Sequence, residues 1–418
     1  MRYLTLLSLA LSLYAQTLFI PQSWIDAEGR YSTEQSYCQN LPAHKAPFCE
    51  KSSLSYPVFT QAPDPVVAQQ IARIVTPRIT EEKKRDLKKE VLSIVSDFKQ
   101  DPPDGTWYNE ESISLFALTP QTFTIRTTIS NYTGGAHGSY TVGYTNYLKG
   151  DTTNTPLTLD DLLVSGYEEK LIKIAASYYK KLVGLKPTQS LTADGWFEDR
   201  FVLPSEIAIT PNGLLFHYNS YEIKAYADGH TSFLLPYFMF RKLIRPQSAI
   251  GAYTQSPKVM TAHFNAELGD LHLKTTRTGS RTLKIETAFR NTFSVDALWL
   301  SLSFPQLKNQ KSVQQTDKSG LDTLHVYPAK SPLYHIGKKK SIRSRYLLIE
   351  AEQKKLKYGT LHTFDTTIRV PASLEYLRID LRAVTKDGQK LEHMPDEFEG
   401  VTGQQGFHNY ELVIPLRD

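Results

Sequence analysis

Tyr132-Thr133-Gly134-Gly135-Ala136-His137-Gly138 lies between two alternating runs, Phe123-Thr124-Ile125-Arg126-Thr127-Thr128-Ile129 before it and Ser139 to Leu148 after it. Alternation at period two predicts strands, so the seven residues between them must reverse the chain as a hairpin. Gly134 and Gly135 carry no Cβ and can take positive φ, which lets the turn close tightly and puts His137 at its tip. Hairpin-linked strands beside helices predict an α+β domain with helices on an antiparallel sheet.

The second distinctive segment is Tyr218-Asn219-Ser220-Tyr221-Glu222-Ile223-Lys224-Ala225-Tyr226-Ala227-Asp228-Gly229, which follows the turn signal Pro211-Asn212-Gly213. It reads as two strands, Gly213 to Tyr218 and Tyr221 to Ala227, with tyrosines spaced along them and a further strand at Thr231 to Leu235. Upstream, Pro65 to Val75 and Glu81 to Gln100 predict helices. In the second, Leu87, Val91, Ile94, Val95 and Phe98 share one face. Pro102-Pro103-Asp104-Gly105 stops that helix and a strand follows at Ser112 to Leu118. After the hairpin, Thr158 and Asp161 have capping-box spacing. A helix then runs from Tyr167 to Leu182, with Leu171, Ile174, Ala175, Tyr178 and Leu182 as its core stripe.

The paired segments resemble a known family: the extracytoplasmic domain of unknown function found in the lysozyme-sensing anti-sigma factor RsiV and beside the catalytic domain of the peptidoglycan deacetylase PdaC. The resemblance covers residues about 56 to 245. It implies an extracytoplasmic compartment and a fold, and it implies no reaction. The anti-sigma factor carries a membrane span ahead of this domain, whereas here only a signal peptide is expected, so direct transmembrane signalling is not.

Met1-Arg2, the apolar run Leu4 to Tyr14 and the small-residue end Leu13-Tyr14-Ala15 predict a signal peptide over residues 1–15. The run falls short of the roughly 18 residues of a spanning helix. The mature chain is therefore expected to have no transmembrane segment and to be periplasmic or secreted. Cys38 and Cys49 are the only cysteines. In an oxidising compartment they predict a disulfide within an irregular leader, residues 16–55, because two thiolates without nearby histidines cannot complete a zinc shell. The net charge of +5, with both signs interspersed, gives no footprint for nucleic acid. The densest basic run, Lys338-Lys339-Lys340 with Arg343 and Arg345, reads as a solvated loop and strand edge.

A chain of 418 residues is long enough for two cores. Between Arg245 and Pro257 the pattern lapses into Pro, Ser, Gln and Gly, a linker signal. Beyond it the sequence is almost purely period-two: Leu283, Ile285 and Phe289; Leu298, Leu300, Leu302 and Phe304; Leu377, Ile379, Leu381 and Ala383. Residues 257–418 are accordingly expected to form an all-β immunoglobulin-like sandwich.

The chain has no His-Glu-x-x-His, Gly-x-Ser-x-Gly, Gly-x-x-x-x-Gly-Lys or Cys-x-x-Cys spacing. It also lacks a His-x-x-x-His segment of the kind the resemblance associates with the deacetylase's metal site. His137, Glu222, Asp228 and His230 are the remaining candidates for chemistry. An imidazole beside a carboxylate would be an acid–base pair or two ligands of a metal, while a structural His137 would simply pin its turn by a hydrogen bond. Tyr132, Tyr218, Tyr221 and Tyr226, with Trp196 and Phe197, offer instead an aromatic face for a glycan ring or a protein partner. The expected binding set is Tyr132, Gly134, Gly135, His137, Tyr218, Tyr221, Glu222 and Tyr226, with no cofactor or metal. The function expected is non-catalytic envelope binding of a cell-wall glycan or an envelope protein. The alternatives are a peptidoglycan-acting enzyme built around His137 and Glu222, and a lysozyme-binding or inhibitory protein.

Overall fold

The computed structural model describes residues 16–42, 45–98, 100–255, 258–266, 269–291, 295–304, 307, 314–319, 323–327, 332–333, 342–343, 347–356, 361–385 and 411–416. The expected signal peptide and all of the basic run except Arg343 lie outside the described residues.

The chain opens with β1 (Gln16–Leu18), α1 (Gln22–Ala27), β2 (Glu28–Gln39) and β3 (Phe48–Phe59), then α2 (Pro65–Glu82) and α3 (Leu87–Asp97). It continues through β4 (Gly105–Leu118), β5 (Thr122–Tyr132), β6 (Ser139–Leu148) and β7 (Pro156–Leu157). Then come α4 (Leu159–Leu162), α5 (Glu168–Leu182), β8 (Glu206–Ile209), β9 (Gly213–Tyr218), β10 (Thr231–Pro236) and α6 (Tyr237–Phe240). Strands β2 to β7 form one six-stranded sheet in sequence order, and β8 to β10 a small antiparallel sheet.

Two expectations for this half need correction. Residues 16–55 are not an irregular leader: β2 and β3 pair over their full lengths, with Cys38 directly opposite Cys49 and disulfide-bonded to it. β2 is solvated along much of its length and therefore shows no apolar alternation. Nor is the large sheet purely antiparallel, because β3 and β4 run parallel. A parallel pair needs a crossover, and α2 with α3 supplies it.

Asp64 caps α2, its carboxylate accepting from the Val66 and Val67 amides, and Pro65 occupies the first turn where no amide is needed. The helix buries Val67, Ile71, Val75 and Ile79 against Leu54, Ile113, Leu115, Phe123 and Ile125 of the sheet. Asp161 accepts from the Thr158 amide and hydroxyl at 2.8 Å each, as its capping-box spacing predicts. α5 buries Leu171, Ala175, Tyr178, Tyr179 and Leu182 with Leu214, Phe216, Phe233 and Leu235 of the small sheet.

The small sheet docks on β5 and β6 through polar side chains. Asn146 donates from Nδ2 to the Ile207 carbonyl at 2.7 Å and accepts from the Ile209 amide at 2.7 Å, while Thr124 donates to the Ile209 carbonyl at 2.9 Å. Glu206 accepts from the Tyr144 amide at 2.7 Å. The polar face of the large sheet is thereby covered, and the candidate site lies along this seam.

The second half comprises β11 (Val259–Ala266), β12 (Gly269–Gly279), β13 (Thr282–Asn291), β14 (Val295–Phe304), β15 (Gln314–Ser319) and β16 (Thr323–Tyr327). It ends with β17 (Pro332–Leu333), β18 (Ile342–Arg343), β19 (Leu347–Leu356), β20 (Leu361–Arg369), β21 (Tyr376–Thr385) and β22 (Glu411–Pro415). One antiparallel sheet has the order β1-β11-β12-β13-β20-β15 and another β16-β19-β14-β21-β22, with β17 and β18 paired separately. The linker-like segment after Arg245 is packed. Ile250 is fully buried, Tyr253 stacks on Tyr237 with centroids 4.3 Å apart, and Val413 joins the α5 core.

Candidate binding site

At the hairpin between β5 and β6, Gly134 and Gly135 take φ of +90° and +93°, the left-handed backbone that side chains resist. Gly138 is required for a different reason: a Cβ there would come within 2.8 Å of the Asn131 carbonyl. The Tyr132 hydroxyl donates to the Gly135 carbonyl at 3.0 Å, fastening the turn to its own strand.

The loop after β9 meets this turn. His137 stacks on Tyr226 with centroids 3.9 Å apart and planes 17° apart, and Tyr221 lies 5.6 Å beyond Tyr226 at 31°. The Tyr226 hydroxyl donates to the Gly138 carbonyl at 3.0 Å, and His137 Nδ1 lies 2.9 Å from the same oxygen as donor. His137 thus pins its turn and is also one rung of an aromatic ladder, Tyr221–Tyr226–His137. Tyr221 is 59% exposed and holds φ of +70°, a strained value for a bulky residue, with its amide donating to the Lys224 carbonyl at 3.1 Å.

Other expected members are elsewhere. Tyr218 is not part of any exposed face: it is 1% exposed and its hydroxyl donates to the Val202 carbonyl at 2.6 Å. The reason is that every residue of β9 is buried, so neither face of that strand is a surface. The expected strand Tyr221 to Ala227 is a loop with a short 3-10 turn at Tyr226–Asp228, which is what lets Tyr226 swing onto His137. Trp196 is buried against Phe201, Tyr179 and Tyr218, whereas Phe197 is exposed. Glu222 accepts from Asn219 Nδ2 at 3.4 Å, and partial burial holds its carboxyl above the usual range. Asp228 faces Gly195. Among the described residues no hydrogen bond joins His137 to Glu222: the ring faces the Gly138 carbonyl and the carboxylate faces Asn219.

A polar cluster that sequence reasoning did not pick out sits behind the ladder. Asn219 accepts from the Val142 amide at 2.8 Å and donates to the Val142 carbonyl at 3.1 Å, joining the loop to β6. His217 Nδ1 is 2.6 Å from Ser232 Oγ, and its Nε2 is 3.1 Å from His230 Nδ1. Burial drives the His217 pKa down to about 3, and it lowers His230 as well. Both rings are therefore neutral, and one can donate to the other. Tyr144 and Tyr140 pack edge-on against these histidines, at 5.6 Å from His217 and 5.2 Å from His230. Among the described residues no group of three or more His, Cys, Asp or Glu side chains could hold a metal ion.

Residues 45–140 match the family described as deacetylase PdaC, and residues 160–237 match the family described as protein of unknown function, DUF3298. Together the two matches are consistent with an RsiV/PdaC-like domain of unknown function in this part of the chain. No curated protein matches the chain. Among solved structures, a DUF3298 family member from Bacteroides fragilis is 19% identical, with 55% of this chain and 98% of that one covered at a TM-score of 0.41. A DUF3298 family protein from Pseudomonas aeruginosa PAO1 is 20% identical, with 52% and 95% covered at a TM-score of 0.37. Among the described residues no helix is long and apolar enough to cross a membrane.

Proposed function

We propose that the chain is an exported, non-catalytic cell-envelope binding protein, periplasmic or secreted, that recognises a cell-wall glycan or an envelope protein through the Tyr221–Tyr226–His137 ladder. The observation that carries this reading is the ladder itself: His137 of the exposed hairpin turn stacked on Tyr226, with Tyr221 tilted beside it, and two hydrogen bonds from the first two to one carbonyl. Rings held in place in advance lose little entropy on binding, and each offers an apolar face with a polar edge. Tyr132, Gly134 and Gly135 support the tip. That no hydrogen bond joins His137 to Glu222 among the described residues favours binding over a peptidoglycan-acting enzyme. In this reading the two large sheets of the second half stack as an immunoglobulin-like sandwich that carries the binding domain.

Retention of the full chain on purified peptidoglycan and on immobilised lysozyme tests the proposal. Tyr221→Ala and Tyr226→Ala should each weaken retention about tenfold, as truncated aromatic anchors do. His137→Ala should weaken it less. Release of products from muropeptides that is lost selectively in His137→Ala or Glu222→Gln would establish the enzyme in its place.

A further inference from the structure

Behind the ladder the large sheet holds a cation without a counter-ion. Arg126 stands on β5 directly opposite Ser114 of β4 and Tyr144 of β6. Cross-strand partners share a face, so all three side chains project to the side away from Ile125, whose own side chain packs with α2. Among the described residues the Arg126 guanidinium makes no ion pair, and its Nε is buried without a hydrogen-bond partner. Ser114 Oγ is buried and unpartnered in the same way.

Two charges lie close by: Glu206, whose carboxylate accepts from the Tyr144 amide at 2.7 Å, and Arg30, which is ion-paired. Arg30 is bonded to Glu28 Oε1 at 3.1 Å, to the Ile113 carbonyl at 2.9 Å and to Ser55 and Ser112 at 3.0 Å each. His217 and His230 are neutral. Tyr144 is clamped by Phe116 at 4.8 Å and His217 at 5.6 Å, and burial holds its phenol in the protonated, donating form. The Arg126 guanidinium therefore stands without a direct counter-ion among the described residues, beside hydroxyl donors. A partly buried charge without a partner loses some of its solvation, and the orphaned Nε and Ser114 hydroxyl add to that cost. Two such groups converging on one spot fit a group that arrives from outside.

We propose that Arg126, Ser114 and Tyr144 form a binding site for a single carboxylate group, entered beside Tyr140 and His230. The guanidinium fork matches a carboxylate in two parallel bonds, and the nearby Glu206 carboxylate repels a doubly charged phosphate more than a monoanion. Tyr140, 37% exposed, marks the open side. The site is separate from the aromatic ladder and does not rest on its role.

The test is titration of the full chain with acetate, N-acetylalanine, N-acetylalaninamide and inorganic phosphate, followed by calorimetry and by the Arg126 Nε–Hε resonance. Saturable binding of the carboxylates with a shift of that resonance, and none by the amide, is expected. Tighter binding of N-acetylalanine than of acetate would identify a peptide carboxyl terminus, and equal binding a small organic acid. Arg126→Met should weaken carboxylate binding by at least about tenfold while melting no lower than the parent in ligand-free buffer, because it removes an unpaired charge. Ser114→Ala should weaken binding severalfold and leave the fold intact. A lower melting temperature for Arg126→Met without ligand would reveal a structural partner and overturn the proposal. So would equal binding of acid and amide, or tighter binding of phosphate.

Discussion

Mild acid should destabilise this protein through His217. The ring is 4% exposed, and burial takes its pKa from 6.5 to about 3. A depressed folded-state value means that the unfolded chain binds the proton more tightly, so the stabilising contribution is complete above pH 6.5 and is lost progressively as pH falls toward 3. Each pH unit well inside that window costs about 1.4 kcal/mol, so acidification from pH 6.5 to 4.5 removes roughly 2 kcal/mol, a sizeable part of a typical stability of about 5–15 kcal/mol. His230, also depressed by burial, acts in the same direction. Glu222, raised by partial burial, acts in the opposite direction, but its exposure and solvent screening make it weak. Asp101, Asp151 and Asp199, all lowered by hydrogen bonds, lose their contribution only below pH 4. Between pH 4.5 and 6.5 the histidines therefore dominate. Urea denaturation of the parent and of His217→Gln across pH 4.5 to 7.5 provides the measurement. The variant should start less stable, having lost a bond to Ser232, yet show a slope shallower by nearly one proton. Parallel slopes, or a His217 ring that titrates near pH 6.5 by NMR, would refute the reasoning.

Gly135→Val should destabilise the first half by roughly 1–3 kcal/mol through backbone strain alone, since nothing lies within 4 Å of the added Cβ; thermal melts that match the parent would contradict this. Limited proteolysis should spare residues 245–257, because Ile250 is buried and Tyr253 stacks on Tyr237, and early cleavage there would show that this packing does not persist in solution. Exported protein should carry no alkylatable thiol. Replacing both cysteines by serine should cost on the order of 3 kcal/mol for a bridge spanning a separation of 11 residues, checked by intact mass and denaturation.

The parts of this fold that could be read from the chain were those whose signal is local. α3 and α5 announce themselves by a stripe at helical spacing, and the hairpin by glycines between two alternating runs, while α2 runs on to Glu82, past the expected end at Val75. β2 escaped notice because its residues are largely polar on both faces, and a strand with little to bury leaves no period. With β2 and β3 unseen, the crossover through α2 and α3 could not be recognised as the link of a parallel pair. β9 was legible as a strand over Gly213–Tyr218, but all six of its residues are buried, so its sequence gives no hint of which ring reaches solvent, and Tyr218 does not.

Arg126 shows why the carboxylate site lay beyond any reading of one strand. In Ile125-Arg126-Thr127-Thr128 an arginine opposite an isoleucine reads as the wet face of an amphipathic strand. That reading is right for β5 taken alone. The face becomes partly enclosed only because β8 to β10, more than seventy residues further along, dock on it through Asn146, Thr124 and Glu206. The docking satisfies those three and leaves Arg126 and Ser114 without partners. Polar residues that each strand presents to water are enclosed by the second sheet, and the seam where their hydrogen bonding is incomplete is where a ligand has most to contribute.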